Sequence, residues 1–191
     1  MGDRVFFGFL IEDAHKRLLE EFPDEKIRIF IQKIADYYIH SWKKMAASNK
    51  KTSWNWASAF FGFSWMAYRK MLKLALLWFV MLSVLELITV AGASIVGGEN
   101  FAIGIIALIG ISSFLIMPIV FGLFGNYIYA SFVYEKLKEI EIIDPDLSES
   151  SLLLEGGTSW GKVLLFLAGS LIVEIIYMAI QTSLLSPPSG F

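Results

Sequence analysis

The sequence has no cysteine, which excludes disulfides, thiolate metal centres and cysteine nucleophiles, and leaves compartment to be read from charge. Charge itself is scarce: 18% of the 191 residues are Asp, Glu, Lys or Arg, against about 25% in soluble domains. The two histidines, His15 and His40, stand far apart without HExxH spacing or a carboxylate-rich neighbourhood, so the usual zinc patterns are missing. Serines are numerous, yet none is expected to act as an elbow nucleophile. No catalytic, cofactor-binding or metal-binding residues are therefore expected. Basic residues are missing from two places in particular, the segment VGGEN at 96–100 and the tail SPPSGF at 186–191.

What the chain does have is apolar length. Hydrophobic residues make up 56% and aromatics 15%, and the mean hydropathy is +0.61. A bilayer crossing needs about 20 apolar residues, and three stretches qualify, at about 72–95, 101–123 and 163–185. The short VGGEN link predicts that the first two form an antiparallel hairpin. The opening MGDRVFFGFLIEDAHKR breaks into charge too soon for a signal peptide, and Phe6 stands where N-myristoylation wants Ser or Thr, so neither is expected.

The lysines and arginines fix an orientation. Thirteen of the sixteen precede residue 74, and the others are Lys136, Lys138 and Lys162. Because Lys and Arg are retained on the cytoplasmic side, the N-terminus and the 135–162 loop are expected in the cytoplasm, with the hairpin tip and C-terminus outside. The expected fold is thus an all-α integral membrane protein. It has a cytoplasmic helical head at 1–52, an interfacial or re-entrant aromatic segment at 53–71, and a three-helix transmembrane domain at 72–191.

Within the head, Ile27, Phe30, Ile31, Ile34, Tyr38 and Trp42 recur at three- and four-residue steps, predicting one helix over roughly 24–47 whose start Asp24 can cap. Lys26, Arg28, Lys33 and Asp36 occupy its other face. Phe9, Ala14, Leu18, Leu19 and Phe22 predict a shorter helix folded back on it. Two helices make a thin core, so a third surface is expected from the aromatic segment, from the membrane beneath, or from both.

That aromatic segment reads SWNWASAFFGFSWMAYRKM, residues 53–71. It is too short and too polar to span. Trp and Tyr favour the headgroup level, where a ring is buried while its polar tip stays wet. Trp54, Ala57, Phe61 and Trp65 fall on one side of a helix, predicting an interfacial helix or one that dips in and returns. Trp54, Trp56, Trp65, Tyr68, Arg69 and Lys70 are the expected membrane-interface or docking residues, with Arg69, Lys70 and Lys73 marking the cytoplasmic border. With Lys43, Lys44, Lys50 and Lys51 upstream, the bilayer and its anionic lipid headgroups are the expected partners. Residues 1–73 carry eight acidic residues beside thirteen basic ones, so nucleic acid is not expected.

The same residues carry a resemblance. Trp54, Asn55, Trp56, Ala59, Phe60, Phe61, Gly62, Trp65, Tyr68, Arg69, Lys70 and Met71, preceded by YYIHSWKKM at 37–45, resemble the signature of a family of small bacterial inner-membrane proteins, known as domain of unknown function 2628. Ser64 departs from it, since a Pro often follows the Gly in that family. The resemblance covers residues 37–75 and the later spans only in general character. It implies a bacterial inner (plasma) membrane location and supplies no activity.

Inside the spans, Glu86 lies thirteen residues beyond Lys73 and Glu174 twelve beyond Lys162, which puts both roughly 18–20 Å from their basic borders. Acids at that depth face protein or water. Ser83, Thr89, Ser94, Tyr177 and Gln181 are candidate hydrogen-bond partners. The pair either locks helices or subunits together as neutral groups or lines a proton or small-cation path. The first is the expectation, because the apolar runs KLALLWFVML and VLLFLAGSLIV offer no polar chain. Pro118 predicts a helix kink, and Gly104, Gly110, Gly122 and Gly125 permit close backbone approach. NYIYASFVYEKLKEI is expected to leave the membrane through a belt of Tyr127, Tyr129 and Tyr134 and to project toward the head. The acidic 135–162 loop is expected against the basic head. GGTS at 156–159 is expected as a turn with Thr158 or Ser159 capping the third span, not as a phosphate loop.

These features point to a noncatalytic membrane protein, an accessory or scaffold subunit presenting a helical head, alone as a homo-oligomer or within a larger membrane complex. A cation path through Glu86 and Glu174, or a membrane enzyme acting on lipid, are the alternatives.

Overall fold

The computed structural model of the protein describes residues 13–185, so Phe9 and the SPPSGF tail lie outside the described residues. These form seven helices in the order α1 (Ala14–Glu21), α2 (Asp24–Ile31), α3 (Ala35–Ala47), α4 (Trp56–Tyr68), α5 (Leu72–Ile143), α6 (Glu149–Glu155) and α7 (Trp160–Leu185). No strand occurs among the described residues.

α5 is two helices joined at Gly98, whose φ of 74° and ψ of −173° interrupt the helix. Its arms, Leu72–Gly98 and Asn100–Ile143, are long and apolar enough to cross a membrane, as is α7. The arms fold back on each other as an antiparallel hairpin: Val90 and Ala93 pack on Ala102 near the turn, and Trp78 and Leu82 face Met117 and Phe121 further in. The outer surface of the arms and of α7 is apolar, with Phe114 79% exposed and Ile88, Leu164 and Ile172 also turned outward. A water-facing surface would not carry so continuous an apolar patch.

The single helix expected over 24–47 is instead two. Gln32 (φ 60°) and Ile34 (φ 56°) both adopt left-handed backbone, and Ile34 turns outward, 58% exposed, where the helical stripe would have buried it. A β-branched residue at positive φ is strained, and the break is held by outside partners. Gly157 N–H donates to Phe30 O at 2.7 Å, Gln32 Nε2 donates to Leu153 O at 3.1 Å, and Arg69 donates to Lys33 O. Asp24 occupies the first helical position behind Pro23, with its carboxylate paired to Lys43.

The third surface of the head is the far end of the second α5 arm. Leu18, Phe22, Ile27, Phe30, Tyr38 and Trp42 share one continuous core with Tyr127, Tyr129, Ala130, Val133, Tyr134 and Leu137. Tyr127, Tyr129 and Tyr134 are buried in that core, so the belt expected at headgroup level is a protein contact. Tyr134 donates to Glu21 Oε1 at 3.0 Å and Lys138 pairs with Glu21 at 2.9 Å. This ion pair is the main reason the Glu21 carboxyl sits below the usual range. His15 is also buried, between helices, its ring edge-on to Tyr127 at 5.7 Å.

The 144–159 segment lies against the head through main-chain groups, not carboxylates. Lys26 donates to Asp146 O at 3.1 Å and to Leu147 O at 2.6 Å. The Asp144 carboxylate is occupied locally by Ser148 and Ser151, whose hydrogen bonds hold it below the usual range.

Candidate functional site

Residues 53–55 leave α3 in extended conformation and dock along the second α5 arm. Ser53 N–H donates to Leu123 O at 3.0 Å and Asn55 N–H to Gly122 O at 2.8 Å. Two glycines let the chain approach so closely: a Cβ on Gly122 would stand 2.8 Å from the Trp54 ring, and one on Gly125 would stand 2.3 Å from Ser58 Oγ. Beside them Asn126 is fully buried. Its Oδ1 accepts from Asn55 Nδ2 at 2.9 Å, its Nδ2 donates to Ser53 Oγ at 2.8 Å and to Tyr37 OH at 3.2 Å, and its main-chain carbonyl accepts from Trp42 Nε1 at 2.8 Å. Asn55 Oδ1 in turn accepts from Ser58 N–H, starting α4. The Trp, Asn, Trp run thus builds a polar joint that bolts the head to the hairpin.

α4 bends at Gly62 (φ 46°, ψ −120°), a conformation open to glycine. The bend divides the aromatic residues. Before it, Trp54, Trp56, Phe60 and Phe61 stay exposed, with Trp56 stacked on Phe60 at 5.7 Å. After it, Phe63 packs among Phe79, Phe121 and Phe166, and Trp65 is 4% exposed beside Tyr129. Trp65 therefore does not share the outer face with Trp54 and Phe61. Tyr68 is half-buried against Trp160 at 5.1 Å.

Arg69 is also withdrawn from the surface. It is 2% exposed, its guanidinium lies 4.7 Å from the Tyr38 ring and 5.2 Å from the Tyr129 ring, and it donates to Lys33 O at 3.3 Å. A buried cation met by two ring faces and a carbonyl is a structural pin. Burial meanwhile pushes the Tyr38 hydroxyl up, so it stays neutral. Lys70 adopts φ 66° and donates to Leu154 O at 2.9 Å.

Within the spans, Glu86 is half-buried and interacts with Tyr177 of α7, while Glu174 acts on the same tyrosine from its own helix. Gln181 Nε2 donates to Tyr177 OH at 3.3 Å. Tyr177 thus feels both acids, Glu86 through a hydrogen bond across the helices and Glu174 only through its charge, from the exposed side of α7. Ser83 and Thr89 bond to their own helix carbonyls instead. The chain stays helical through Pro118, Gly98 being the one non-helical position within α5.

Where the arms of α5 meet the start of α7, a cavity of about 410 Å³ opens, lined by Lys70, Lys73, Lys136 and Lys162 together with Glu135, Glu139 and Glu155. In the sequence Lys70 and Lys73 mark the border of the first span, while Lys136 and Lys162 belong to the 135–162 loop. Lys162 also lies in the stretch Gly156-Gly157-Thr158-Ser159-Trp160-Gly161-Lys162-Val163, which has the GxxxxGK spacing of a phosphate loop with Val in place of Ser/Thr, and also the Gly-x-Ser-x-Gly spacing of a nucleophile elbow. Neither geometry forms. No strand precedes it among the described residues. The N–H groups of Gly156, Gly157 and Ser159 are already given to Leu152 O, Phe30 O and Tyr68 O. Ser159 Oγ accepts Lys162 N–H at 3.2 Å, capping α7 as expected.

Comparison with protein-family models, curated proteins and solved structures finds no match to this chain.

Proposed function

We propose that the protein is a noncatalytic scaffold of the bacterial inner membrane, holding a folded helical head at a fixed angle on the cytoplasmic side of a three-helix anchor. The observation that carries this reading is the Asn126 joint. Head, aromatic segment and second arm meet in one buried hydrogen-bond cluster, and a loose tether would need none of it. The lysine and arginine distribution supports the cytoplasmic placement of the head. The resemblance of residues 53–71 to the bacterial family supports the membrane. Trp54, Trp56, Phe60 and Phe61, exposed beside the joint, suit an interfacial shelf.

Two experiments test it. Because the chain has no native cysteine, single cysteines at Asn100 and Phe191 should react with an impermeant maleimide from outside intact cells, and one at Ile142 only after lysis. Reaction of Ile142 in intact cells overturns the orientation. For the scaffold role, photo-crosslinkers on the exposed head residues Lys33 and Lys44 should each give one discrete adduct in cells, lost in Asn126→Leu. Head crosslinkers giving no discrete adduct, combined with lipid turnover by the pure protein, would move the assignment to a membrane enzyme.

A further inference from the structure

The lysine-lined cavity has a charge pattern that the scaffold reading leaves unused. The ammonium groups of Lys70, Lys73 and Lys136 all act repulsively on that of Lys162, and Glu155 is the carboxylate that opposes them. Lys136 is paired with Glu139. Lys162 Nζ reaches only the Lys70 carbonyl, at 3.4 Å, and Lys73 is exposed. Four lysines against three glutamates leave the lining with a formal charge of +1. Gathering like charges without full neutralisation is unfavourable, and an anion relieves it.

The other walls are apolar. Leu72, Leu74, Ile128 and Phe132 face the same space. Ile128 also lines a second, apolar crevice of about 140 Å³ that runs between the hairpin arms past Phe63, Trp78 and Leu82. A charged chamber at the end of the spanning helices and an apolar crevice that shares Ile128 with it match a molecule with a phosphate head and a hydrocarbon tail. Basic pockets between spanning helices on the cytoplasmic side take such headgroups.

We propose that this cavity binds a phosphate group presented by an anionic phospholipid of the adjoining leaflet, with Lys73 and Lys162 contacting the phosphate and the acyl chain entering the crevice beyond Ile128. Glu155 then accepts a hydrogen bond from a headgroup hydroxyl, which selects a glycerol headgroup over choline. The inference rests on the membrane reading above. It makes the lipid a structural ligand, bridging the two arms and α7 at the level where the head begins.

The test uses the full chain purified in a neutral detergent, with thermal unfolding followed during titration with phosphatidylglycerol, phosphatidylcholine or inorganic phosphate. Phosphatidylglycerol should raise the midpoint by about 5 °C at saturation, with phosphatidylcholine giving little shift. Lys73→Gln with Lys162→Gln should weaken the apparent affinity at least tenfold, while Arg17→Gln with Arg28→Gln, both exposed on the head, should leave it unchanged. A double variant that unfolds on its own is replaced by Lys73→Gln alone, which alters an exposed side chain and should still lose several-fold. Equal stabilisation by phosphatidylcholine, or no difference between the cavity and head variants, overturns the proposal. A full shift with inorganic phosphate alone overturns the lipid source and assigns the cavity to a soluble phosphate. An alkaline carbonate wash of membranes separates the two readings. Release of the chain sinks the membrane reading itself, whereas a retained chain without lipid selectivity sinks only this site.

Discussion

Trp42 of α3 donates its indole N–H to the main-chain carbonyl of Asn126 at 2.8 Å, joining residues 84 positions apart in a fully buried bond. One side of this bond belongs to the head and the other to the helix that continues into the apolar hairpin. The head's orientation is therefore set by the same helix that anchors it.

Asn126→Leu keeps the volume and removes the amide. Asn55 Nδ2 is then left without its acceptor, and an unsatisfied buried donor costs about 1–3 kcal/mol. We expect a loss of about 2–3 kcal/mol in detergent and faster proteolytic release of the head, read by thermal unfolding and limited trypsin digestion. Unchanged digestion would mean that the joint is not what holds the head.

Gly125→Ala and Gly104→Ala should act in opposite directions. A Cβ at 125 meets Ser58 Oγ at 2.3 Å, whereas nothing lies within 4 Å of one at 104. Overpacking at 125 should cost about 1–3 kcal/mol, while the better helix former at 104 should stabilise by up to about 1 kcal/mol. The pair of melting curves checks this, and a matching sign at both positions would contradict the close approach.

Arg69→Lys tests whether position 69 faces lipid or protein. At a membrane border the two cations are interchangeable. Between the Tyr38 and Tyr129 rings they are not, because an ammonium cannot lie flat on two rings while also reaching Lys33 O. A loss of about 1–2 kcal/mol is expected by chemical denaturation, against no change for Lys73→Arg.

His15 gives a pH signature. Burial is the main cause that holds its imidazole below the ordinary histidine range, with Lys16 and Lys51 acting the same way and Asp13 opposing. The unfolded chain takes up a proton as pH falls through about 6.5 and the folded chain does not. Its stabilising contribution is therefore full above that pH and is lost below it. The Glu21 carboxyl, lowered by Lys138, loses its contribution only in the more acidic carboxylate range. The melting midpoint should drop between pH 7.5 and 5.5 in wild type and stay flat in His15→Phe. Parallel curves would remove His15 as the cause.

Glu86→Gln preserves a hydrogen-bonding group beside Tyr177, and Glu86→Leu does not. If the pair serves helix packing, Gln should be near neutral and Leu should cost about 0.6–1.7 kcal/mol. Proton flux into liposomes should then be equal for wild type and for Glu86→Gln with Glu174→Gln. Flux that disappears in the double variant would transfer the assignment to the conducting alternative.

Apolar length and helical period were enough to find the three long helices and the hairpin, because a run of some twenty residues without charge has few other stable fates. The capping of α7 by Ser159 was also readable, since it depends on chemistry within a few residues, whereas Gly122 and Gly125 signalled a close approach without naming its partners, Trp54 and Ser58. Periodicity tells which side of a helix avoids water, but lipid and protein interior are both apolar and satisfy it equally. Only the tertiary structure could therefore bury Trp65, Arg69, Tyr127 and Tyr129 in the head while leaving Trp56 and Phe60 outside. The same holds for the break at Gln32 and Ile34, whose strained backbone is stabilised by Phe30 and Lys33 carbonyl partners more than thirty residues away in sequence. The lysine cavity likewise gathers Lys73, Lys136 and Lys162 from three helical segments and Lys70 from the turn before α5, which no linear pattern unites.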